Sequence, residues 1–138
     1  MYQRILLAVD GSEHSSRATD HAIALSLVTG AEIELIYVLD YSKAKSEVLH
    51  SGNSLQLKNE RQQRLKKAEE KLQKNDVSYQ ITMKHGEPGP TIVEHANRNN
   101  VDIVIIGSRG LNSLQEMVLG SVSHKVAKRA SCPVLIVK

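Results

Sequence analysis

A stretch near the end of the sequence combines residue types that bind phosphate groups. Residues 107–110 are Gly-Ser-Arg-Gly, and residues 120–123, after nine intervening positions, are Gly-Ser-Val-Ser. Glycines at the fixed positions of this stretch permit positive φ angles and let a ligand approach the backbone closely. A helix that begins at Ser121 would direct its first backbone N–H groups and its partial positive charge toward an anion. We therefore predict a phosphate-binding cradle formed by these two segments.

Three side chains strengthen this prediction, although single members of the set also have ordinary structural explanations. Ser121 and Ser123 supply hydroxyl donors, and Arg109 supplies a planar cation suited to phosphate. Taken singly, a glycine after a strand is explained by a turn, and Ser121 is explained by a role as helix cap. The spacing differs from the Gly-Lys-Ser/Thr ending of a Walker A loop and from the Gly-x-Gly-x-x-Gly of dinucleotide-binding proteins. Phosphate binding is thus predicted from the combination.

Other reactive residue types are scattered in ways that favour neither catalysis nor a metal site. His14 and His21 lie seven residues apart, whereas two helical ligands of one zinc ion lie three or four apart. The remaining histidines have no partner at ligand spacing, and His124 is expected at the surface. The Gly-x-Ser-x-Gly motif of serine hydrolases does not occur. We interpret the lone Cys132 as a small hydrophobic residue and not as a redox thiol.

The elements around the cradle alternate between strand and helix. Predicted strands cover residues 5–9, 33–38, 77–83, 101–106 and 133–137. Predicted helices cover residues 13–29, 54–75, 90–98 and 121–130. Ser12 is expected to cap the first helix, Gly30 to end it, and Pro90 to occupy the first position of the third. We interpret the charged run within the second helix as a solvated face; its cations are Arg61, Arg64, Lys66, Lys67, Lys71 and Lys74.

This alternation predicts an α/β fold, with a parallel sheet covered by helices on both faces. In such a sheet the ligand lies beyond the carboxyl ends of the strands, where the winding direction reverses. Asp10 follows the first strand and the cradle follows the fourth, so both are expected at that edge. The polar segment 40–53 carries no recognisable motif.

Composition narrows the class of protein. The 138 residues are expected to form one domain, 1–138, and 41% apolar with 24% charged residues is typical of globular proteins. A net charge of +3 and 3% aromatic residues argue against nucleic-acid binding. The first apolar run spans five residues, too short for a signal peptide or a membrane span. With a lone cysteine, these features predict a cytoplasmic protein without a membrane partner.

The sequence resembles the ATP-binding type of universal stress protein over essentially its full length. The signature of that family is Gly-x2-Gly-x9-Gly-Ser/Thr. The sequence matches it at every fixed position, namely Gly107, Gly110, Gly120 and Ser121. Residues 5–12 and 132–137 also resemble the first and last strands of that family.

The resemblance implies a Rossmann-like fold of the adenine nucleotide alpha hydrolase-like kind. This fold is a three-layer sandwich with a five-stranded parallel sheet in the order 3-2-1-4-5. ATP would lie between the first and fourth strands, with Mg²⁺ bridging its phosphates. Homodimers that pair through the last strand, here Pro133–Val137, are usual in the family. The apolar character of that segment suits such pairing, because an unpaired apolar edge is a liability.

The resemblance also implies roles for individual residues. Asp10 would touch the nucleoside, the backbone of Val38 would border the adenine, and Ile106 with Gly107 would line base and ribose. The residues around the phosphates would be Gly110, Gly120, Ser121, Val122 and Ser123. The complete candidate nucleotide-binding set is Ala8, Val9, Asp10, Val38, Ile106, Gly107, Ser108, Arg109, Gly110, Gly120, Ser121, Val122 and Ser123.

Three functions are compatible with these residues. The first is an ATP-binding sensor or regulator of a stress response with little or no hydrolysis, favoured by the cradle and the lack of an evident general base. The second is a slow Mg²⁺-dependent ATPase or nucleotide-transferring enzyme, in which Asp10 holds metal and Arg109 stabilises phosphate charge. The third is a dimeric interaction scaffold that uses no nucleotide. The first is our expectation, with no catalytic residue and no metal-binding side chain assigned.

Overall fold

Strands and helices alternate along the chain, as predicted. The computed structural model describes residues 1–40, 54–110 and 119–138. Within these ranges the strands are β1 (Arg4–Ala8), β2 (Glu32–Leu39), β3 (Tyr79–His85), β4 (Ile103–Gly107) and β5 (Val134–Val137). The helices are α1 (Glu13–Thr29), α2 (Ser54–Lys74), α3 (Pro88–Arg98) and α4 (Ser121–Arg129). The strands form one parallel sheet in the order β3-β2-β1-β4-β5, which confirms the predicted class and order.

The sheet separates two hydrophobic cores, because successive side chains of a strand point to opposite faces. In β1, Ile5 and Leu7 pack with buried residues of α1 and α2. Leu6 and Ala8 pack on the other face with buried residues of α3 and α4. Both faces of β1 are therefore apolar, which explains its continuous hydrophobic sequence. The result is the expected three-layer sandwich.

Both ends of α1 are capped by the predicted residues. Ser12 is the N-cap, and its Oγ accepts a hydrogen bond of 3.1 Å from the backbone N–H of Ser15. Gly30 has a φ of 77° and donates its N–H to the carbonyl oxygen of Ser26 at 2.8 Å. These local bonds fix where the helix begins and ends, and so where the turn after β1 lies.

The start of α3 differs from the prediction. The helix begins at Pro88, with Glu87 as its N-cap, so Pro90 lies inside the first turn and not at its first position. Proline lacks a backbone N–H, and the first N–H groups of a helix have no intrahelical partner in any case. The first turn therefore accommodates both prolines, and the sequence alone did not distinguish them.

The interpretation of the charged run in α2 as a solvated face is wrong for part of the run. Lys71 Nζ lies 2.9 Å from Asp20 Oδ1 and donates to Ser16 Oγ at 2.8 Å, which joins α2 to α1. Arg64 is half-buried, and Leu65 beside it belongs to the core. The helix is thus attached to its neighbours by cations as well as by apolar side chains.

Cys132 lies half-buried just before β5 and packs against the core beneath α3 and α4. Burial raises the pKa of its thiol above the ordinary value of 9.0, so the thiol stays protonated at neutral pH. A protonated thiol is a poor nucleophile, which supports the interpretation of Cys132 as a packing residue.

Most of the polar segment 40–53 lies outside the described residues. Among the helices of the described ranges, none has both the length and the apolar character that a membrane crossing requires.

Candidate functional site

The candidate site lies at the carboxyl ends of β1 and β4, which are neighbours in the sheet. The chain leaves β1 toward α1, whose buried residues belong to one core. It leaves β4 toward α4, whose buried residue Val126 belongs to the core on the opposite face. The two connections therefore diverge from a common edge, and this divergence opens the crevice in which parallel α/β sheets bind ligands.

The turn after β1 is held by the Asp10 side chain. Asp10 Oδ1 accepts a 2.9 Å hydrogen bond from the backbone N–H of Ser12, and Gly11 between them has a φ of +89°. That left-handed conformation favours glycine strongly. A Cβ atom added to Gly110 would lie only 2.8 Å from Asp10 Oδ2. The carboxylate therefore faces the cradle, and the two predicted segments meet at this point.

Gly107 and Gly110 are required for space and not for positive φ. In the described ranges, positive φ occurs among glycines at Gly11, Gly30 and Gly86, so Gly107 and Gly110 do not use the positive φ that glycine permits. A Cβ on Gly107 would lie 2.7 Å from the Cβ of His14, which shows how closely α1 crosses the end of β4. Gly107 is needed because the helix packs on it.

The start of α4 presents backbone donors. Gly120 is the N-cap, with φ −70° and ψ 160°, and no side chain caps the helix. The first N–H groups of any helix lack intrahelical acceptors and carry the positive end of the helix dipole. Ser121 is exposed and Val122 is half-buried, so this end of the helix is open to a ligand. The arrangement suits an anion.

The Ser123 hydroxyl has a structural partner inside the cradle. Its Oγ is buried and donates to the carbonyl oxygens of Ser108 at 2.9 Å and Gly120 at 3.1 Å. The Ser108 carbonyl oxygen also accepts the Gly120 N–H at 2.7 Å. These bonds tie the end of β4 to the start of α4, so Ser123 offers a ligand its backbone N–H more readily than its hydroxyl.

The remaining predicted residues border the same edge. Ala8 and Val9 are buried at the end of β1, and the Val9 N–H donates to the Ile36 carbonyl oxygen at 3.1 Å. Val38 is half-buried near the end of β2, the neighbour of β1. Ile106 is buried in β4, and Arg109 is half-buried just after it. Positions 111–118, between the two halves of the cradle, lie outside the described residues.

Two residues at this edge were missed by the sequence prediction. His14 packs against Gly107, and the side chain of Arg64 packs against Gly11. Arg64 Nη1 also donates to the Tyr37 hydroxyl at 3.3 Å. Nothing in the sequence distinguishes Arg64 from the other cations of α2, because its contacts depend on how α2 lies over the turn.

A second polar cluster is buried away from the cradle, between the sheet and α3. Glu34 Oε2 accepts a hydrogen bond from Thr82 Oγ1 at 2.5 Å and lies 3.0 Å from His95 Nε2. Burial raises the pKa of Glu34, but the hydrogen bonds from Thr82 and His95 and the positive charges nearby outweigh it, and the pKa falls below its ordinary 4.5. Glu34 Oε1 is buried without a hydrogen-bond partner. The cluster anchors α3 to β2 and β3.

A family can now be assigned from the whole chain. A sequence profile of the universal stress protein family matches residues 1–138. The chain belongs to the universal stress protein family. Universal stress protein YxiE of Bacillus subtilis is 34% identical to it over 148 residues, which cover all of both chains.

Solved structures of universal stress proteins share the fold. Protein MJ0577 of Methanocaldococcus jannaschii superposes with a TM-score of 0.87 at 32% identity, over 100% of this chain and 96% of that one. A universal stress protein solved in complex with cAMP superposes with a TM-score of 0.71 at 25% identity, over 99% and 96% of the two chains. The present universal stress protein therefore has structural relatives along its full length.

Proposed function

We propose that this universal stress protein binds an adenine nucleotide, foremost ATP, and acts as a nucleotide-dependent sensor or regulator in a stress response. The observation that carries the proposal is the meeting of three groups at one edge: the Asp10 carboxylate, Gly110 and the open start of α4. The relative in complex with cAMP supports it, because cAMP shares adenine, ribose and a phosphate with ATP.

Each part of the nucleotide has a matching group in the proposed site. The Asp10 carboxylate suits the ribose hydroxyls, which are hydrogen-bond donors. The backbone of Val38 and the apolar Ile106 suit the adenine. The N–H groups of residues 121–123 suit the phosphates, since a helix start binds anions, and Arg109 adds positive charge.

Magnesium fits the proposed site as an ion held mainly by the nucleotide. Mg²⁺ keeps several waters and is usually bound through one or two carboxylates together with phosphate oxygens. Asp10 provides a carboxylate facing Gly110. Within the described ranges no group of three or more His, Cys, Asp or Glu residues is arranged to hold a metal. Phosphate oxygens and waters, and not protein side chains, would therefore supply most of the Mg²⁺ ligands.

Calorimetric titration of the purified protein with ATP tests the proposal, with GTP as the control that changes only the base. We expect ATP to bind and to raise the melting temperature, by mass action on the folded state. ADP, AMP and cAMP in the same assay rank the contributions of the phosphates. A protein that carries no adenine nucleotide after purification, and whose melting temperature ATP leaves unchanged, would be a nucleotide-independent scaffold instead.

We propose little or no hydrolysis, because the two candidate bases described at this edge both have structural contacts: Asp10 Oδ1 accepts the Ser12 N–H, and His14 packs against Gly107. A steady-state assay with Mg·ATP decides between a sensor and an ATPase. Many turnovers per minute that are lost in Arg109→Ala would contradict the sensor and support the enzyme.

We also propose a homodimer that pairs through β5. This strand lies at the edge of the sheet, and Leu135 is exposed there. An unpaired apolar edge favours association with another chain. Light scattering should show a dimer for the native protein and a monomer for Leu135→Lys. Leu27→Lys is the matched control, because Leu27 is exposed on α1, and a dimer disrupted equally by both changes would contradict pairing through β5.

Residues 1–138 are proposed to fold as a single domain in the cytoplasm. Limited proteolysis should yield one protected fragment if the chain forms a single domain. Cell fractionation should recover the protein in the cytoplasmic fraction.

A further inference from the structure

Arg64 joins α2 to two places at the edge of the candidate site. A Cβ atom on Gly11 would lie 2.7 Å from Arg64 Cγ and 2.9 Å from Arg64 Cβ, so the arginine stem packs directly on that glycine. At its other end, Arg64 Nη1 donates to the Tyr37 hydroxyl at 3.3 Å. One side chain therefore contacts both the turn after β1 and the body of β2.

Both contacts adjoin residues proposed to hold the nucleoside. Gly11 follows Asp10, the proposed ribose partner, and Tyr37 precedes Val38, the proposed border of the adenine. Tyr37 is buried among the residues packed beneath α1 and α2, so its hydroxyl is a fixed point. Arg64 thus spans the two strands that would hold the base and ribose.

The turn that Arg64 covers requires such support. Gly11 has a φ of +89°, a conformation that glycine adopts readily but also leaves readily, because it has no side chain to restrict its backbone. A hydrogen bond of 2.9 Å from the Ser12 N–H to Asp10 Oδ1 crosses the turn. The Cβ, Cγ and Cδ atoms of Arg64 pack on Gly11 and fill the space that a side chain at this position would occupy.

We propose that Arg64 is a positioning residue for the nucleoside end of the site, an inference that rests on the proposed adenine nucleotide binding. Arg64 acts through its neighbours: its stem holds Gly11, and thereby the Asp10 carboxylate, while its guanidinium aligns the end of β2. It leaves the phosphate end, built from α4 and the loop after β4, unaffected. Helix α2 therefore determines how well the base and ribose are held.

The test compares three variants by calorimetry with ATP and with inorganic tripolyphosphate. Arg64→Ala removes stem and guanidinium, whereas Arg64→Met keeps most of the stem. Lys71→Ala is the matched control, because Lys71 attaches the same helix to Asp20 of α1, two turns farther from the site. We expect Arg64→Ala to weaken ATP binding about tenfold, a loss comparable to that of one hydrogen bond between Asp10 and the ribose. Arg64→Met should lose less ATP affinity than Arg64→Ala, and Lys71→Ala should bind ATP as the native protein does. Tripolyphosphate should bind the native protein and all three variants with equal affinity.

A second readout needs no nucleotide. Hydrogen exchange at the Ser12 N–H reports the bond to Asp10 Oδ1, and we expect faster exchange in Arg64→Ala but not in Lys71→Ala. Equal effects of Arg64→Ala and Lys71→Ala on ATP affinity and on Ser12 exchange would overturn the proposal, because α2 would then act only through general stability. If the native protein binds no nucleotide, the proposed function fails, and the Ser12 exchange still decides whether Arg64 fixes the turn.

Discussion

The amino and carboxyl ends of the sheet differ in whether side chains of the protein accept hydrogen bonds from the backbone N–H groups there. At the amino end, Asp102 Oδ2 accepts the N–H groups of Gln3 at 2.8 Å and Arg4 at 2.9 Å, and Arg4 Nη1 donates to the Asn99 carbonyl oxygen at 2.7 Å. At the carboxyl end, α4 begins at Gly120 without a side-chain cap. The amino end pairs these donors within the chain, whereas the start of α4 has no side-chain cap and is where we propose that a ligand binds.

This difference separates stability from binding within one small fold. A change at the amino end removes bonds of the chain to itself, so it should lower stability and leave nucleotide affinity unchanged. If the proposed site is correct, a change at the carboxyl end removes space or donors that the nucleotide would use, so it should lower affinity and leave stability unchanged. The following predictions test that separation, from the largest expected effect to the smallest.

Gly120→Val is expected to have the largest effect, a loss of ATP affinity of about a hundredfold or more, because a β-branched side chain would compete with phosphate for space. The backbone at Gly120 is extended, with φ −70° and ψ 160°, which valine adopts without strain. Calorimetric titration with ATP measures the loss, and thermal unfolding measures stability.

Ala130→Val provides the control for Gly120→Val. Ala130 is the C-cap of the same helix and has a similar extended backbone, with φ −67° and ψ 138°. Ala130→Val adds the two γ-methyl groups of the same β-branched side chain at the end of α4 away from the site. Normal ATP binding by Gly120→Val, or equal losses in the two variants, would show that the cradle is misplaced.

Gly110→Ala is expected to lower ATP affinity about tenfold, since its Cβ would lie 2.8 Å from Asp10 Oδ2 and displace the carboxylate. A double-mutant cycle sharpens this prediction. In an Asp10→Ala background, Gly110→Ala should have no further effect on the affinity measured by calorimetry. A full second loss would mean that Gly110 acts independently of Asp10.

Glu34→Gln is expected to lower the free energy of unfolding by about 1 kcal/mol, because hydrogen bonds to an ionised carboxylate are replaced by weaker ones. Since the folded pKa of Glu34 lies below its ordinary 4.5, its contribution is present above that value and is lost as the pH falls through the folded pKa. Urea unfolding at several pH values should show the two proteins converging in acid. A change in ATP affinity would contradict the assignment of this cluster to stability alone.

Asp102→Asn is expected to have the smallest effect, a drop of a few degrees in melting temperature at neutral pH. The N–H groups of Gln3 and Arg4 lower the pKa of Asp102 below its ordinary 3.8, so the ionised form stabilises the fold above that pH. The difference between the two proteins should shrink as the pH falls through the lowered pKa. ATP titration should give equal affinities, and a weaker affinity in the variant would break the comparison between the two ends.

Local features were predicted well from the sequence because they depend on neighbouring residues. Ser12 and Gly30 cap α1 as expected, since each cap is a bond to the adjacent turn. The alternation of elements gave the fold class, and the resemblance to a family supplied the strand order. The segments predicted to form the cradle do lie at the end of β4 and at the start of α4, and Gly107 and Gly110 lie in tight contacts without positive φ.

Contacts between distant residues could not be predicted in this way. Arg64 meets Tyr37 from 27 positions away, and His95 meets Glu34 from 61 positions away. His95 was set aside because it lacks a partner at ligand spacing, a criterion that considers only one helix. Such pairs form because the sheet brings separate segments together, and single-sequence patterns contain no record of that proximity.

The Ser108 carbonyl oxygen has a practical consequence for measuring ligand binding. It receives the Gly120 N–H and the Ser123 hydroxyl, so one peptide group joins the exit of β4 to the entry of α4. The residues on either side of positions 111–118 are thus held together by hydrogen bonds that involve no atom of that interval. A fluorescent label attached within that interval for nucleotide titrations should therefore leave both bonds intact, because neither bond involves a residue of the interval.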